Sequence, residues 1–418
     1  MIENTDILII GAGPSGSIAA AYLRQKNIKV IVLEKTQFPR IVVGESLIPR
    51  SMDHFEEAGL LPYLEAQNFQ VKPGARFIRG EQICIFDFSQ KFGQGNDWTW
   101  QVPRADFDLT LAQAIQDKGA DLRFNEEVIA VSFEGKTSYT TVKKQNGETY
   151  QIKAKFLIDA SGYGRVLPRL LQIDSPSKLN PHSAIFTHIE DVRRPIGNEG
   201  TQISFDILET KVWLWVIPFS NGKTSVGIVG PTEFIQQLST NQDTAEALQN
   251  AIQKSEFYVN RFGQLPFEFQ PILLKNYSAA VTQMFGDGYV LTGNSTEFLD
   301  PVFSSGVCFA TESSLKAAKL AIRELEGETV DWQTEYEDYM KYGIDVFTTY
   351  VKEWYTGNLQ ELFFHQPENP DVKQKICAVL AGYVWNKENP FVNKHNSVIR
   401  NMAYLINMVK EKEAQENN

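Results

Sequence analysis

Apolar positions along the chain follow three rhythms. Near the N-terminus a continuous run, "DILII" (6–10), leads into a glycine-rich turn, an alanine-rich helical stretch and a second run, "KVIVLE" (29–34). Short continuous runs suit strands covered on both faces, as in a parallel sheet. Further on, "HSAIFTHIEDV" (182–192), "TQISFDILE" (201–209) and "KTSVGIVG" (223–230) have the alternation and spacing of antiparallel strands with one covered face. Between them, "KVWLWVIPF" (211–219) sets Trp213 and Trp215 two residues apart, so both indoles point to one face and Leu214 to the other. Pro218 ends this strand because it cannot donate to the ladder. From about residue 326 the pattern becomes helical, and "EYEDYMKYGIDVFTTYVKEWYTGNL" is rich in aromatics. That segment either closes a substrate chamber or packs the core. The last ten residues, "VKEKEAQENN", read as a frayed polar tail.

Composition narrows the function. The 418 residues are 43% hydrophobic and 22% charged, ordinary for a globular protein with room for two or three packed units. A formal net charge of −11 argues against nucleic acid, or an anionic membrane, as a partner bound through bulk charge. The three cysteines, Cys84, Cys308 and Cys377, lie far apart, and the five histidines show no HExxH-like spacing. Neither a disulfide framework nor a metal site is expected. No apolar run approaches the ~18 residues of a membrane span, and the acidic start "MIENTDILII" lacks the pattern of a signal peptide. The location predicted is cytoplasmic.

The strongest chemical signal lies in the first 35 residues. Gly11, Gly13 and Gly16 make a GxGxxG spacing directly after a strand and before a helix, and the next strand ends at Glu34. Each part has a task in holding a dinucleotide. Gly11 allows the tight turn, Gly13 lets backbone approach the pyrophosphate, and Gly16 lets helix and strand pack closely. The helix N-terminus, at Pro14 and Ser15, attracts phosphate charge. Glu34, with Lys35 beside it, is placed to meet ribose hydroxyls, which favours FAD or NAD over NADP.

Three later stretches choose between the two. These are "VPRADFDLTLAQAI" with Arg104, "KFLIDASGYGR" with Asp159, and "FGDGYVLTGNSTEFLDPVFSSGVCFATESSLKAA" with Gly293, Asn294 and Asp300. Together with the glycine turn they resemble the FAD-containing hydroxylase superfamily typified by p-hydroxybenzoate hydroxylase, to which the geranylgeranyl reductases are similar. The resemblance implies FAD as cofactor, with Arg104 near the flavin and the Asp159 turn beside the cofactor. The late motif departs from the family: Asn294 stands where an aspartate usually holds the ribityl chain, and its amide can still bond a hydroxyl. No second GxGxxG in strand context occurs, so reduced flavin is expected from a separate flavin reductase.

"FPRIVVGESLIP" (38–49), "FQVKPGARFIRG" (69–80), "VWLWVIP" (212–218) and "FLDPVFSSGV" (298–307) sharpen this. They look like the flavin-dependent halogenases, most of all the branch acting on phenols and pyrroles. FxxKxG is matched by Phe69, Lys72 and Gly74, and WxWxIP by Trp213, Trp215, Ile217 and Pro218. The resemblance covers the chain to about residue 320. It implies halogenation of an electron-rich aromatic substrate using reduced FAD, oxygen and halide. It makes Ser304, Ser305 and Gly306 the halide loop, sets Gly306 and Val307 at the cofactor, and makes Lys72 the catalytic residue that holds hypohalous acid. Trp213, Trp215 and Pro218 become the barrier between flavin and substrate, with Lys72 beyond it, facing a chamber open to substrate. Phe303 occupies a place where tryptophan halogenases carry glutamate, which argues against free indole; in the phenol/pyrrole branch substrates are often carrier-bound. The same fold and cofactor also serve monooxygenases and alkene reductases or dehydrogenases.

The expected architecture is α/β, α+β overall: a Rossmann-like FAD-binding domain (1–68, 94–175 and 281–325) interleaved with an antiparallel-sheet substrate domain (69–93 and 176–280), followed by a helical C-terminal region (326–418).

Overall fold

In the computed structural model, which describes residues 2–239, 241, 243–365 and 370–416, the first apolar run becomes the strand Ile2–Ile10 at the centre of an eight-stranded sheet. It pairs in parallel with Val30–Glu34 on one side and Thr149–Asp159 on the other. Tyr289–Leu291 adds a further parallel strand beside Thr149–Asp159. Ile7 to Ile10 are buried, as a continuous apolar run requires. The registers Ile10↔Leu33, Ile10↔Asp159 and Asp159↔Leu291 bring four strand ends to one edge. The carboxyl edge of a parallel sheet is where ligands settle. The helices Pro14–Gln25 and Ser305–Leu325 pack on each other over one face of this sheet.

A second sheet of seven strands runs Ile272–Leu274, His182–Glu190, Lys223–Pro231, Val212–Pro218, Ser204–Glu209, Gly74–Arg79 and Gln82–Asp87. Its pairs are antiparallel except Ser204–Glu209 with Gly74–Arg79. The alternation of Val212–Pro218 is realised. Trp213 and Trp215 join the core shared with the nucleotide unit. Val212, Leu214 and Val216 join a separate core with Leu248 and Ile252 on the other face. Gln70–Lys72 belongs to neither large sheet; it pairs with Thr99–Gln101 as a two-stranded ribbon.

The C-terminal region is helical and closely docked. Glu312 accepts from Tyr339 Oη at 2.7 Å and pairs with Arg50 at 2.9 Å and His54 at 2.7 Å. The tail departs from the expected fraying: the helix His395–Glu416 runs through it. Ile399 and Ala403 seat this helix on the core, and Lys410 pairs with Glu361, contacts that no local pattern announces. Residues 417 and 418 lie outside the described residues. Among the described residues no helix is long and apolar enough to cross a membrane.

Candidate active site

A cleft of about 430 Å³ follows the carboxyl edge of the large sheet, from Glu34 to Trp213 and Trp215. Gly11 has φ +97°, and a Cβ there would lie 2.5 Å from Ala160 O. A Cβ on Gly16 would lie 1.9 Å from Gly11 O, so helix and turn touch through bare backbone. Gly13, Pro14 and Ser15 line the cleft at the start of the helix, whose free N–H groups suit a pyrophosphate. Ser15 Oγ is tied to Thr292 at 2.8 Å and Ser314 at 2.5 Å. Glu34 accepts from Ala12 N at 3.1 Å and from Thr36 N at 3.0 Å, which sets its carboxylate at the cleft. Lys35 lines the rim, its amine on Glu127 at 2.6 Å. Arg104 reaches the cleft from a buried bidentate pair with Asp108 at 2.8 and 2.9 Å, and donates to Val43 O at 2.7 Å. The far end is apolar, with Phe205, Ile217, Phe298 and Val307. A turn without side chains, a helix N-terminus, a carboxylate and an apolar end fit pyrophosphate, ribose and isoalloxazine in sequence.

Several sequence-predicted residues stand behind this wall. Gly16, Gly293, Asp159, Asp300, Ser305, Pro218 and Lys72 do not line the cleft, whereas Asn294, Ser304, Gly306 and Val307 do. Asp159 accepts from Ser161 N at 2.8 Å and Leu167 N at 2.7 Å. Burial pushes its carboxyl up, and those N–H groups work against that. Asp300 accepts from Val302 N at 3.0 Å, Tyr277 Oη at 2.8 Å and Tyr355 Oη at 2.9 Å. Both carboxylates shape the loops that border the cleft, and neither reaches it. Gly293, at φ +58°, sits against Ala310. Pro218 O accepts from Gln101 Nε2 at 2.5 Å.

The indoles lie 6.1 Å apart, and both line the cleft. Trp213 Nε1 donates to Tyr355 Oη at 3.2 Å and Trp215 Nε1 to Ser225 Oγ at 3.1 Å. Trp215 lies on Gly227, where a Cβ would come within 2.3 Å of its ring. Across from them Ser304 adopts φ +56° and starts the 21-residue helix Ser305–Leu325 without a side-chain cap. The first N–H groups of that helix, at Ser305, Gly306 and Val307, have no partner within the helix.

Lys72 is 1% exposed. Its ammonium or amine Nζ donates to Ser46 Oγ at 2.8 Å and Leu47 O at 2.7 Å, 5.6 Å from the Phe88 ring centre. Burial lowers its pKa to about 7. Ser304 Oγ lies 3.1 Å from the same Ser46 Oγ. Ser46 and Ser304 line the cleft, so two hydroxyls connect it to Lys72. Instead of facing an open chamber, Lys72 is buried among the described residues and lines neither described cavity. The ribbon with Thr99–Gln101 turns Val71 outward and Lys72 inward, towards Phe88. Sequence reasoning passed over Ser46 and Glu45 although it singled out "GESLIP". Glu45 lines the cleft and meets His188 Nε2 at 2.7 Å. Two polar residues after a glycine beside an apolar stretch were the available signal; Gly44 has φ +101°.

Known proteins resemble this chain in sequence and fold. The chain is 28% identical to a 1H-pyrrole-2-carbonyl-[peptidyl-carrier protein] brominase of Pseudoalteromonas luteoviolacea, over 92% of this chain and 94% of that protein. It is 28% identical to the corresponding chlorinase of Pseudomonas fluorescens, over 91% and 90%. Among solved structures, a flavoprotein/dehydrogenase from Cytophaga hutchinsonii superposes with a TM-score of 0.95 at 46% identity, covering 98% of this chain and all (100%) of that one. The flavin-dependent brominase Bmp2 shares the fold with a TM-score of 0.83 at 24% identity, over 99% and 100%. The family model described as FAD binding domain matches residues 4–334, and the chain belongs to that family.

Proposed function

We propose that this protein is an FAD-dependent halogenase of electron-rich aromatic substrates, with Lys72 as its catalytic residue. The observation that carries the reading is the run from the cleft, which two indoles line, through Ser304 and Ser46 to Lys72. Bound, reduced FAD supplies the activation of oxygen. The N–H groups of Ser305 and Gly306 hold the halide without a carboxylate to repel it. Trp213 and Trp215 keep the substrate ring away from the flavin end of the cleft. Hypohalous acid passes along the hydroxyls of Ser304 and Ser46 to Lys72 Nζ, which holds and orients it. The substrate carbon then takes the halogen, its ring proton leaves, and the hydroxyl departs as water. A lysine whose pKa lies near 7 offers both an N–H donor and a basic amine at neutral pH. The carrier-bound pyrroles named for two relatives support a tethered substrate here, and a separate reductase delivers the reduced flavin.

The test is turnover with a flavin reductase, NADH and an aromatic substrate panel, with and without bromide or chloride. Halide-dependent incorporation by mass spectrometry is expected. Oxidised product formed equally well without halide would overturn the reading and favour a monooxygenase or dehydrogenase.

A further inference from the structure

Trp213, Ser304 and Gly306 line the cleft, and the indole and the loop are anchored behind it at one carboxyl group. Trp213 Nε1 donates to Tyr355 Oη at 3.2 Å, and Tyr355 Oη donates to Asp300 Oδ2 at 2.9 Å. Tyr277 Oη donates to the same oxygen at 2.8 Å. Asp300 Oδ1 accepts from Val302 N at 3.0 Å and so fixes the short turn Pro301–Phe303, which hands the chain to Ser304. Asp300 is buried, where hydrogen bonds are stronger than in water and coupled donors reinforce one another. The two indoles are held in different ways. Trp215 Nε1 is held within its own sheet, by Ser225 ten residues on. Trp213 Nε1 is held by a residue 142 positions later, the last of the aromatic helix Tyr339–Tyr355. The Tyr355 ring is itself fixed by stacking on His182, with centroids 4.1 Å apart. Without the Tyr355 hydroxyl the buried indole N–H loses this partner, and a buried donor left alone is unstable where it stands.

We propose that Tyr355 is a positioning residue for the indole wall. It holds Trp213 by its N–H, while Asp300 joins that hold to the loop carrying Ser304 and Gly306. The C-terminal helix thereby takes part in the site, beyond packing the core. Tyr355 lines neither described cavity, so it acts through Trp213. The consequence for turnover rests on the halogenase reading, in which the indoles keep the substrate from the flavin. An indole released from Tyr355 turns more freely about its side-chain torsions. Hypohalous acid then escapes to solvent in place of passing along Ser304 and Ser46. The cradle at Gly11, Gly13 and Glu34 has no part in this hold, so cofactor affinity is untouched.

The experiment uses the full chain loaded with FAD and labelled with heavy nitrogen at its indoles. Two variants each take one hydroxyl from Asp300: Tyr355→Phe, which also frees Trp213, and Tyr277→Phe, which does not. The first readout is the Trp213 indole N–H resonance, assigned with Trp213→Phe. Tyr355→Phe should move it upfield, as loss of a hydrogen bond does, and Tyr277→Phe should leave it in place. The second readout is where the oxidant goes, with a flavin reductase, NADH, bromide, an aromatic substrate and a scavenger in solution. Tyr355→Phe should raise scavenged hypobromous acid per NADH about 5-fold, at the expense of brominated product. Tyr277→Phe should match the wild type, and FAD affinity should stay within about twofold in both. A merely structural hydroxyl would give the two variants the same partition. An unmoved resonance in Tyr355→Phe, or an equal partition in the two variants, overturns the assignment. If Tyr355→Phe does not fold, Asp300→Asn, which weakens the acceptor behind Tyr355, should shift the same resonance the same way and decides alone. The resonance is read without turnover. A wild type that incorporates no bromine would therefore sink the halogenase reading, while the shift still decides whether Tyr355 positions the indole.

Discussion

The two ends of the cleft are built on opposite plans. At the Glu34 end, one continuous segment of 35 residues supplies turn, helix start and acid, and its polar groups are already bonded. Glu34 is fixed by Ala12 and Thr36, and Ser15 by Thr292 and Ser314. Behind the other end, Ser46, Lys72 and Ser304 come together from distant parts of the chain, and the Lys72 amine is buried outside the cleft. The first end is a rigid cradle made to fit one invariant ligand. The second tolerates a buried amine, which lowers stability. Such local costs gather where chemistry is done. The difference teaches where affinity and where reactivity reside.

The sharpest way to break this contrast is Lys72→Ala. It should lower halogenated product by about 100-fold or more, as loss of an orienting group at the reacting centre does. FAD affinity should remain within about twofold, since Nζ bonds only Ser46 and Leu47. Lys72→Arg should fail as well, because guanidinium stays charged and differs in shape. Product at the wild-type rate from either variant would remove reactivity from this end.

Glu34→Ala probes the other end. Losing a charge-assisted bond of about 1.5–3 kcal/mol should weaken FAD binding roughly 10- to 100-fold. Fluorescence titration measures it; unchanged affinity would mean that the ribose does not sit on Glu34.

The smallest effect is on stability against pH. The Lys72 pKa falls from 10.5 unfolded to about 7 folded through burial. Below about 7 both states bind the proton and the penalty on the fold is at its maximum. Between about 7 and 10.5 only the unfolded state binds it, so stability rises with pH. Lys72→Met removes this dependence. Urea unfolding at pH 7 and 9 should show the stability gap between Lys72→Met and wild type narrowing by about 2 kcal/mol at the higher pH. A constant gap would mean that water reaches the amine.

What could be read along the chain was local. The GxGxxG turn between two buried strands, the shared face of Trp213 and Trp215, and the positive-φ glycines all follow from periodicity and backbone sterics over a few residues. The inward turn of Lys72 was not legible, because a lysine between Val71 and Pro73 reads equally well as a surface residue. Only pairing with Thr99–Gln101 buries it and lowers its pKa. Family resemblance sets Asp159 and Asp300 at the cofactor; which partners they take, Leu167 N, Tyr277 and Tyr355, follows only from the fold. Ser46 acquired its place from contacts 26 and 258 residues away. Spacing in sequence governs which side chains share a strand or helix face. Which faces meet, and so which polar groups lose water and which keep no partner, is decided by long-range packing alone.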